Sequence, residues 1–213
     1  MKPDFPEQRL AWAREHGWSG VAERTIEPDL FSRLSWRAAG ERDTPVRVLG
    51  EIRGTYGNRA AFAHDRPLPL LQSQARAHER FGRISGVSVE ASLPAGYVLL
   101  ARKPSFARMY PMPWAEGLAV TRRPLGTPTA GWAQPGAEDL VIGALAPILQ
   151  SAAPIVTGGE GGEYLVAIGE GSVIVGETYQ SGPEAALYRM GLADDVATRL
   201  EHAVRAGAAP AAN

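Results

Sequence analysis

The sequence predicts an α+β fold: a mostly antiparallel sheet with an N-terminal helix, a middle helical pair and a C-terminal amphipathic helix. Three observations lead to this prediction. Alternating apolar segments are joined by glycine-containing turns, which is typical of hairpins. Helical periodicity is confined to the two ends of the chain and one stretch in between. Strands and helices do not alternate as parallel βαβ units require.

The N-terminal helix is predicted over residues 6–16. Asp4 and Glu7 stand three residues apart, as in a capping box at a helix start. Gly17 follows the helix, and glycine is the residue favoured in a left-handed C-cap. Trp18 comes next, so we expect its ring to fold back on the last helical turn.

The middle of the chain predicts hairpins, with polar or proline-rich connections between them. A turn at Gly57-Asn58 joins two of the strands, and glycines at 169 and 171 flank the turn of another hairpin. The predicted strands are 21–25, 46–54, 59–65, 84–93, 97–101, 117–121, 164–168 and 172–178. The predicted short helices are 28–39, one from Glu138 and one from Pro147, and residues 72–83 are a hairpin connection or a further short helix.

The C-terminal helix begins at a second capping box, formed by Ser181 and Glu184. Apolar residues then recur every three or four positions up to Val204, which places them on one face of a helix. Gly191 weakens the middle, so a break there is possible. We expect one α+β domain over 1–206 and a disordered tail over 207–213.

Composition excludes several classes of protein. The 213 residues are 45% hydrophobic and 21% charged with a net charge of −1, the balance of an ordinary globular chain. No apolar run approaches the roughly 20 residues of a membrane span, and no secretory signal opens the chain, so a cytoplasmic protein is expected. The absence of cysteine excludes disulfides and thiolate chemistry. A sequence pI of 6.4 argues against a nucleic-acid partner.

No catalytic or cofactor motif is present, so we predict no cofactor, no metal site and no catalytic residue. The glycine-rich stretch 158–162 contains a glutamate and is followed by another, and carboxylates repel phosphate. The four histidines lack the spacing of a metal site. His64 and Asp65 are adjacent and could coordinate or act as a base, but a solvated turn is the simpler interpretation.

Charge is distributed unevenly along the chain. Residues 1–110 carry 17 Lys and Arg against 12 Asp and Glu, whereas residues 111–213 carry 5 against 11. Either the two halves complement each other within one domain, or a basic face attracts an anionic ligand. The candidate anion-binding residues are Arg53, Arg59, Arg66, Arg76, Arg80 and Arg83. Because a GC-rich codon bias also produces arginine, a scattered solvated surface is the alternative for these residues.

One apolar segment stands out in the proline-rich region 102–135. Residues 106–114 read FARMYPMPW, with two methionines, three aromatic residues and two prolines. They either cover the sheet as part of the core or form an adaptable surface for a protein partner. The candidate partner-binding residues are Phe106, Met109, Tyr110, Met112 and Trp114.

The order of these elements resembles that of a group of uncharacterised proteins from high-GC Gram-positive (actinobacterial) bacteria. The resemblance covers about residues 8–205. It implies an α+β fold and a bacterial cytoplasmic or membrane-facing setting, and it implies no reaction, cofactor or catalytic residue. The residues that carry it are Trp12, His16, Gly17 and Trp18, the strand VLGEIRG at 48–54, and Leu93-Pro94 after a later strand.

The function predicted from these observations is a non-enzymatic protein-interaction or assembly module of the bacterial cytoplasm. It acts through a protein partner or through self-association. The alternative is a small anionic ligand-binding protein, or an enzyme, with an arginine-rimmed cleft.

Overall fold

The computed structural model confirms the α+β class. It describes residues 5–28, 44–68, 80–100, 121–124, 129–141, 143, 145, 164–177 and 182–208. Within these ranges, nine strands form one sheet in the order β1-β2-β3-β4-β9-β8-β5-β7-β6. Every pair of neighbouring strands is antiparallel.

Three helices accompany the sheet in the described part of the chain. Helix α1 spans Phe5–Glu15, α2 begins at residue 138 and has described residues 138–141, 143 and 145, and α3 spans Pro183–Ala208. The strands are β1 Ser19–Ile26, β2 Val46–Tyr56, β3 Arg59–Leu68, β4 Arg80–Ser88, β5 Gly96–Leu100, β6 Thr121–Pro124, β7 Thr129–Ala133, β8 Tyr164–Gly169 and β9 Ser172–Glu177.

Two tight turns make the central hairpins, as the sequence predicts. Gly57 has φ of 58° between β2 and β3, a left-handed conformation that glycine adopts without strain. Gly171 has φ of 70° between β8 and β9. Glu170, the preceding residue, has φ of 50° and is therefore also left-handed. The turn of this hairpin thus contains a non-glycine residue in a left-handed conformation.

Helices α1 and α3 pack on the same face of the sheet. Alternate residues of a strand point to one face, and on β3 that face carries the buried Ala61 and Ala63. One apolar cluster joins them to Ala13 of α1 and to the buried side of α3. The members from α3 are Ala186, Met190, Leu192, Ala193, Val196, Ala197 and Leu200.

The C-terminal end of α1 is closed as predicted. Gly17 has φ of 73°, and the amide of Trp18 donates to the carbonyl of Ala13 over 2.8 Å, which is the bond of a Schellman cap. Trp18 does fold back, since its ring meets that of Trp12 edge-on with centroids 5.5 Å apart. The Trp18 ring also lies on Gly54, where a Cβ atom would stand 2.2 Å from it.

Two details of the predicted elements differ from the structure. Strand β4 occupies 80–88 rather than 84–93, because residues 80–83 continue the ladder with β3. Helix α3 runs through Gly191 without the break that a glycine there makes possible. Of the strand predicted over 117–121, the structure describes only Thr121, which is the first residue of β6.

Other predictions fall outside the described residues. These are most of the short helix at 28–39, the helix from Pro147, the segment 106–114 and the last five residues of the chain. Helix α3 extends to Ala208, two residues into the predicted tail. Among the helices that the structure describes, none has the length and apolar content needed to cross a membrane.

Candidate functional site

A buried ion pair attaches α1 to the sheet. Arg9 has 0% of its surface exposed, and its Nη1 donates to Oδ1 of Asp65 on β3 over 2.8 Å. Its Nε donates to the carbonyl of Gly50 over 2.8 Å and its Nη2 to that of Leu49 over 3.1 Å. A single guanidinium thus bonds α1 to both β2 and β3.

The backbone of β2 is shaped to receive this arginine. The register between β2 and β3 shifts between Leu49 and Ile52, which is a β-bulge. Gly50 in the bulge has φ of 56°, and a Cβ there would lie 2.7 Å from Cβ of Pro6 and 2.9 Å from Nη2 of Arg9. Only glycine allows α1 to approach this closely.

A second buried carboxylate lies near the edge of the sheet. Glu51 is buried, and its Oε1 accepts from Nη2 of Arg24 at 2.8 Å and from Nε of Arg53 at 3.0 Å. Arg24 comes from β1, so the carboxylate joins the first two strands. Glu51 thus lies between two guanidinium groups and serves as a structural bridge.

Aromatic and cationic side chains form a row along β3, on the face opposite α1 and α3. The guanidinium of Arg53 stands 5.8 Å from the ring centroid of Phe62, a cation–π distance. Phe62 stacks on His64 with centroids 5.6 Å apart. Nη2 of Arg66 lies 3.2 Å from Nε2 of His64. Because an arginine guanidinium only donates, Nε2 of His64 is the acceptor of the bonds from Arg66.

A third ion-pair group attaches α3 to the first residue of β3. Arg59 donates from Nε to Oδ1 of Asp194 over 2.8 Å, and from Nη1 and Nη2 to the two carboxylate oxygens of Glu201 over 2.9 Å each. The bonds to Glu201 are the main cause of the raised pKa of Arg59. The same bonds lower the pKa of Glu201 below its ordinary value of 4.5.

Helix α3 carries one further buried cation. Arg189 is fully buried, and its Nε lies 3.3 Å from Oγ of Ser85 on β4. Ser85 is also fully buried. The contact places a charged side chain against the middle of the sheet rather than in a solvent-accessible cleft.

Those predicted anion-binding arginines whose side chains are described lie on both faces of the sheet. Arg53 and Arg66 belong to the row along β3, whereas Arg59 bonds to α3 on the other face. Arg83 is half-buried on β4, cross-strand from Asp65. Arg80 is the first residue of β4, and Arg76 lies outside the described residues. The described arginines therefore bond mainly within the fold.

The predicted partner-binding residues, Phe106, Met109, Tyr110, Met112 and Trp114, all lie outside the described residues. Nothing in the described part of the chain decides between a core cover and a partner surface for them. Their assignment stays a prediction.

Sequence reasoning missed the side chains that matter most to the structure. A solvated turn at His64 and Asp65 was wrong, because both are buried within β3. Arg9 was not singled out, yet it stands four residues before the buried Ala13 and hence on the same helical face. A charge at such a position needs a buried partner, and this is the signal that could have found the pair.

The described residues are arranged for architecture rather than for chemistry. Among them, no group of three or more metal-ligating side chains comes together. Asp65, Glu51 and Glu201 are each bound by arginine, so these buried carboxylates form ion pairs within the fold.

Comparison with known proteins adds one likeness. No protein-family model matches this sequence, and no curated protein does either. The fold is similar to the crystal structure of the mycobacterial trehalose monomycolate transport factor A, with a TM-score of 0.58 and 13% sequence identity. The likeness covers 93% of this chain and 96% of that one. The two proteins share a fold, and the neighbour comes from an actinobacterium, the group that the sequence resembles.

Proposed function

We propose that this chain is a non-enzymatic accessory protein of the bacterial cytoplasm that acts by binding a protein partner. The observation that carries the proposal is the use of charge in the described residues. The buried carboxylates Asp65, Glu51 and Glu201 each hold a guanidinium that ties two elements of the fold together. In the described residues these carboxylates hold the fold together, which leaves binding of a partner as the proposed activity.

The fold likeness supports the same kind of role. The neighbour is by name a transport factor for trehalose monomycolate. We therefore propose that this chain assists a transport process of the bacterial cell as a binding component, with no bond made or broken on it.

The proposed contact surface is the apolar segment 106–114. Methionine and aromatic side chains are adaptable and give a large contact area, and prolines hold such a segment extended without ladder hydrogen bonds. Phe106, Met109, Tyr110, Met112 and Trp114 are the residues proposed to meet the partner.

A double substitution, Tyr110→Ala with Trp114→Ala, tests this surface. The wild-type chain and the variant are used as bait in a mycobacterial lysate, and the captured proteins are compared by quantitative mass spectrometry. We expect a defined protein to be enriched by the wild type and lost from the variant. We also expect the pair to cost less than about 1.5 kcal/mol in a denaturant titration, since exposed aromatics contribute little to folding.

A loss above about 3 kcal/mol would instead place the two rings in the core, because truncation of a buried large aromatic costs that much. The matched control is Tyr188→Ala on α3, where an aromatic with 42% of its surface exposed is removed elsewhere. If the double variant still captures the protein and Tyr188→Ala does not, residues 106–114 are rejected as the contact.

The second candidate is binding of a small anion at Arg53 and its neighbours. Arg53 favours it because the side chain is 55% exposed while Glu51 satisfies only part of its donors. A thermal-shift screen with phosphate and carboxylate metabolites tests it. A shift that Arg53→Ala abolishes would favour the anion over the protein partner.

A further inference from the structure

Strand β1 ends the described sheet with an exposed edge. It is the first strand in the order, so its only strand neighbour in the described part of the chain is β2. Residues 19–23 are all exposed, and Arg24 is the first residue of the strand that is partly buried. The backbone groups on the outer side of such a strand form a template for another strand.

The usual protections of an edge strand are missing here. Natural edges carry lysine, proline or a bulge that blocks a second strand. Residues 19–26 contain no lysine or proline, and β1 pairs with β2 in one continuous register without a shift. Helix α1 covers one face of the strand, where Cδ2 of Leu10 would stand 2.8 Å from a Cβ at Gly20, but none of the described strands pairs with the outer edge.

The charged side chains of β1 are directed to its own sheet. Both carboxylate oxygens of Glu23 accept from Arg47 of β2, each over 2.6 Å. Arg24 donates to Glu51 of the same strand. Neither charge is therefore used to repel an approaching strand.

The centre of the exposed stretch is apolar. Val21 is 45% exposed, one of two large hydrophobic side chains that stand out in this way among the described residues. Val21 is the central residue of the exposed stretch 19–23, with two residues on either side. An antiparallel pairing of two such stretches brings valine against valine.

We propose that two copies of this chain pair through their β1 edges, antiparallel, around a twofold axis at Val21. In this register Ser19 of each copy stands opposite Glu23 of the other, and Gly20 stands opposite Ala22. No like charges face each other. A twofold axis at Glu23 would oppose two carboxylates, which is unfavourable, so the charge pattern selects the register at Val21.

This interaction is separate from the proposed function, because it involves a different surface and a second copy rather than another protein. The partner surface at 106–114 can fail while the β1 pairing holds, and the reverse is equally possible.

A charge exchange at the axis tests the pairing. The full chain is studied by sedimentation velocity with Val21→Lys, with Val21→Glu, and with the two variants mixed. We expect the wild type to sediment as a dimer of the 22.7 kDa chain at submillimolar concentration, and each variant alone to be monomeric. The mixture should form dimers again, because opposite charges then meet at the axis.

Tyr188→Lys on α3 is the matched control, since it places the same charge at an equally exposed apolar residue, and we expect it to remain dimeric. Circular dichroism and the melting midpoint establish that all variants fold. A monomeric wild type, a Val21→Lys variant that stays dimeric, a folded mixture that stays monomeric, or a monomeric Tyr188→Lys variant would each overturn the proposal.

Discussion

The two terminal helices lie on the same face of the sheet, and each is joined to it by an arginine ion pair, but in opposite ways. On α1 the arginine belongs to the helix and reaches into the sheet, where Arg9 is wholly buried. On α3 the arginine belongs to the sheet, where Arg59 reaches out to Asp194 and Glu201 with 12% of its side chain exposed. The same charge chemistry therefore operates in two different surroundings.

The difference reflects how much apolar surface each helix brings. Helix α1 has 11 residues, and Ala13 is its only fully buried apolar side chain among those described. Helix α3 has 26 residues and contributes seven members to the core cluster. A short helix with little apolar surface needs a specific polar attachment, whereas a long amphipathic one is held mainly by the hydrophobic effect.

The largest effect is expected when the α1 attachment is broken. Arg9→Met leaves Asp65 buried without its cation and removes the donors to two carbonyls, so we expect a loss of about 3–5 kcal/mol in unfolding free energy. Urea denaturation followed by circular dichroism measures it. Arg9→Met combined with Asp65→Leu removes both charges and should recover part of the loss. A single-variant loss below about 1 kcal/mol would mean that α1 is held by other contacts.

The next largest loss of stability is expected at Gly50, the glycine that lies beneath α1. Gly50→Ala must place a Cβ at φ of 56° and within 2.7 Å of Pro6, so both backbone strain and overlap oppose it. We expect a loss of about 2–3 kcal/mol by denaturant titration. Gly17→Ala is the matched control, because it has a similar φ of 73° with open space around it. The two variants should differ by the cost of the overlap; equal losses would show that strain alone matters.

A smaller loss of stability is expected when the ion pair between α3 and Arg59 is weakened. Glu201→Gln removes one of the two carboxylates on Arg59 and leaves Asp194 in place, so we expect a loss of about 1–2 kcal/mol near neutral pH. Glu23→Gln is the control, since Glu23 also binds an arginine but has 51% of its side chain exposed to solvent. It should leave the unfolding midpoint at neutral pH nearly unchanged.

The same carboxylate gives this region a pH dependence. Its pKa in the folded protein lies below the ordinary value of 4.5, because Arg59 binds the ionised form. The pair therefore contributes its full stability above about pH 4.5 and loses it as the pH falls through the folded pKa. Melting midpoints measured from neutral pH into this range should fall more steeply for the wild type than for Glu201→Gln. Parallel curves would contradict the assignment.

The smallest change in stability is expected from a substitution at Gly191, within α3. At Gly191 a new Cβ would lie 2.9 Å from the hydroxyl of Tyr56, the end of a side chain that can move. Alanine also improves helix propensity by about 1 kcal/mol in a helix interior. We expect Gly191→Ala to be neutral or slightly stabilising in thermal denaturation. A loss as large as that of Gly50→Ala would mean that α3 is packed as tightly as α1.

Several parts of this fold could be predicted because their signals are local. Gly17 marks the end of α1, Gly57 marks the β2–β3 turn, and the periodicity from 184 to 204 marks α3, since each depends on neighbouring residues. The start of β4 could not be predicted in this way. Residues 80–83 show no alternation of apolar and polar side chains, and they form a strand by pairing with residues 65–68.

The partners of the charged residues could not be predicted from local sequence either. Arginine spacing along the sequence suggested one anion-binding group, but pleating sends Arg53 and Arg59 to opposite faces of the sheet. Arg9 and Asp65 are 56 residues apart, and nothing local to either indicates the other.

The sequence alone determined the class of the fold, the hairpin turns, the C-terminal end of α1 and the absence of cysteine, because these follow from propensity, periodicity and composition. The tertiary structure decided which charges are buried, which carboxylate each arginine meets and which strand lies at the edge. Those outcomes depend on the order of strands and on the β-bulge at Gly50, which bring distant residues within hydrogen-bonding distance. Burial then sets how strongly each pair acts, since a charge removed from water must find its partner inside the protein.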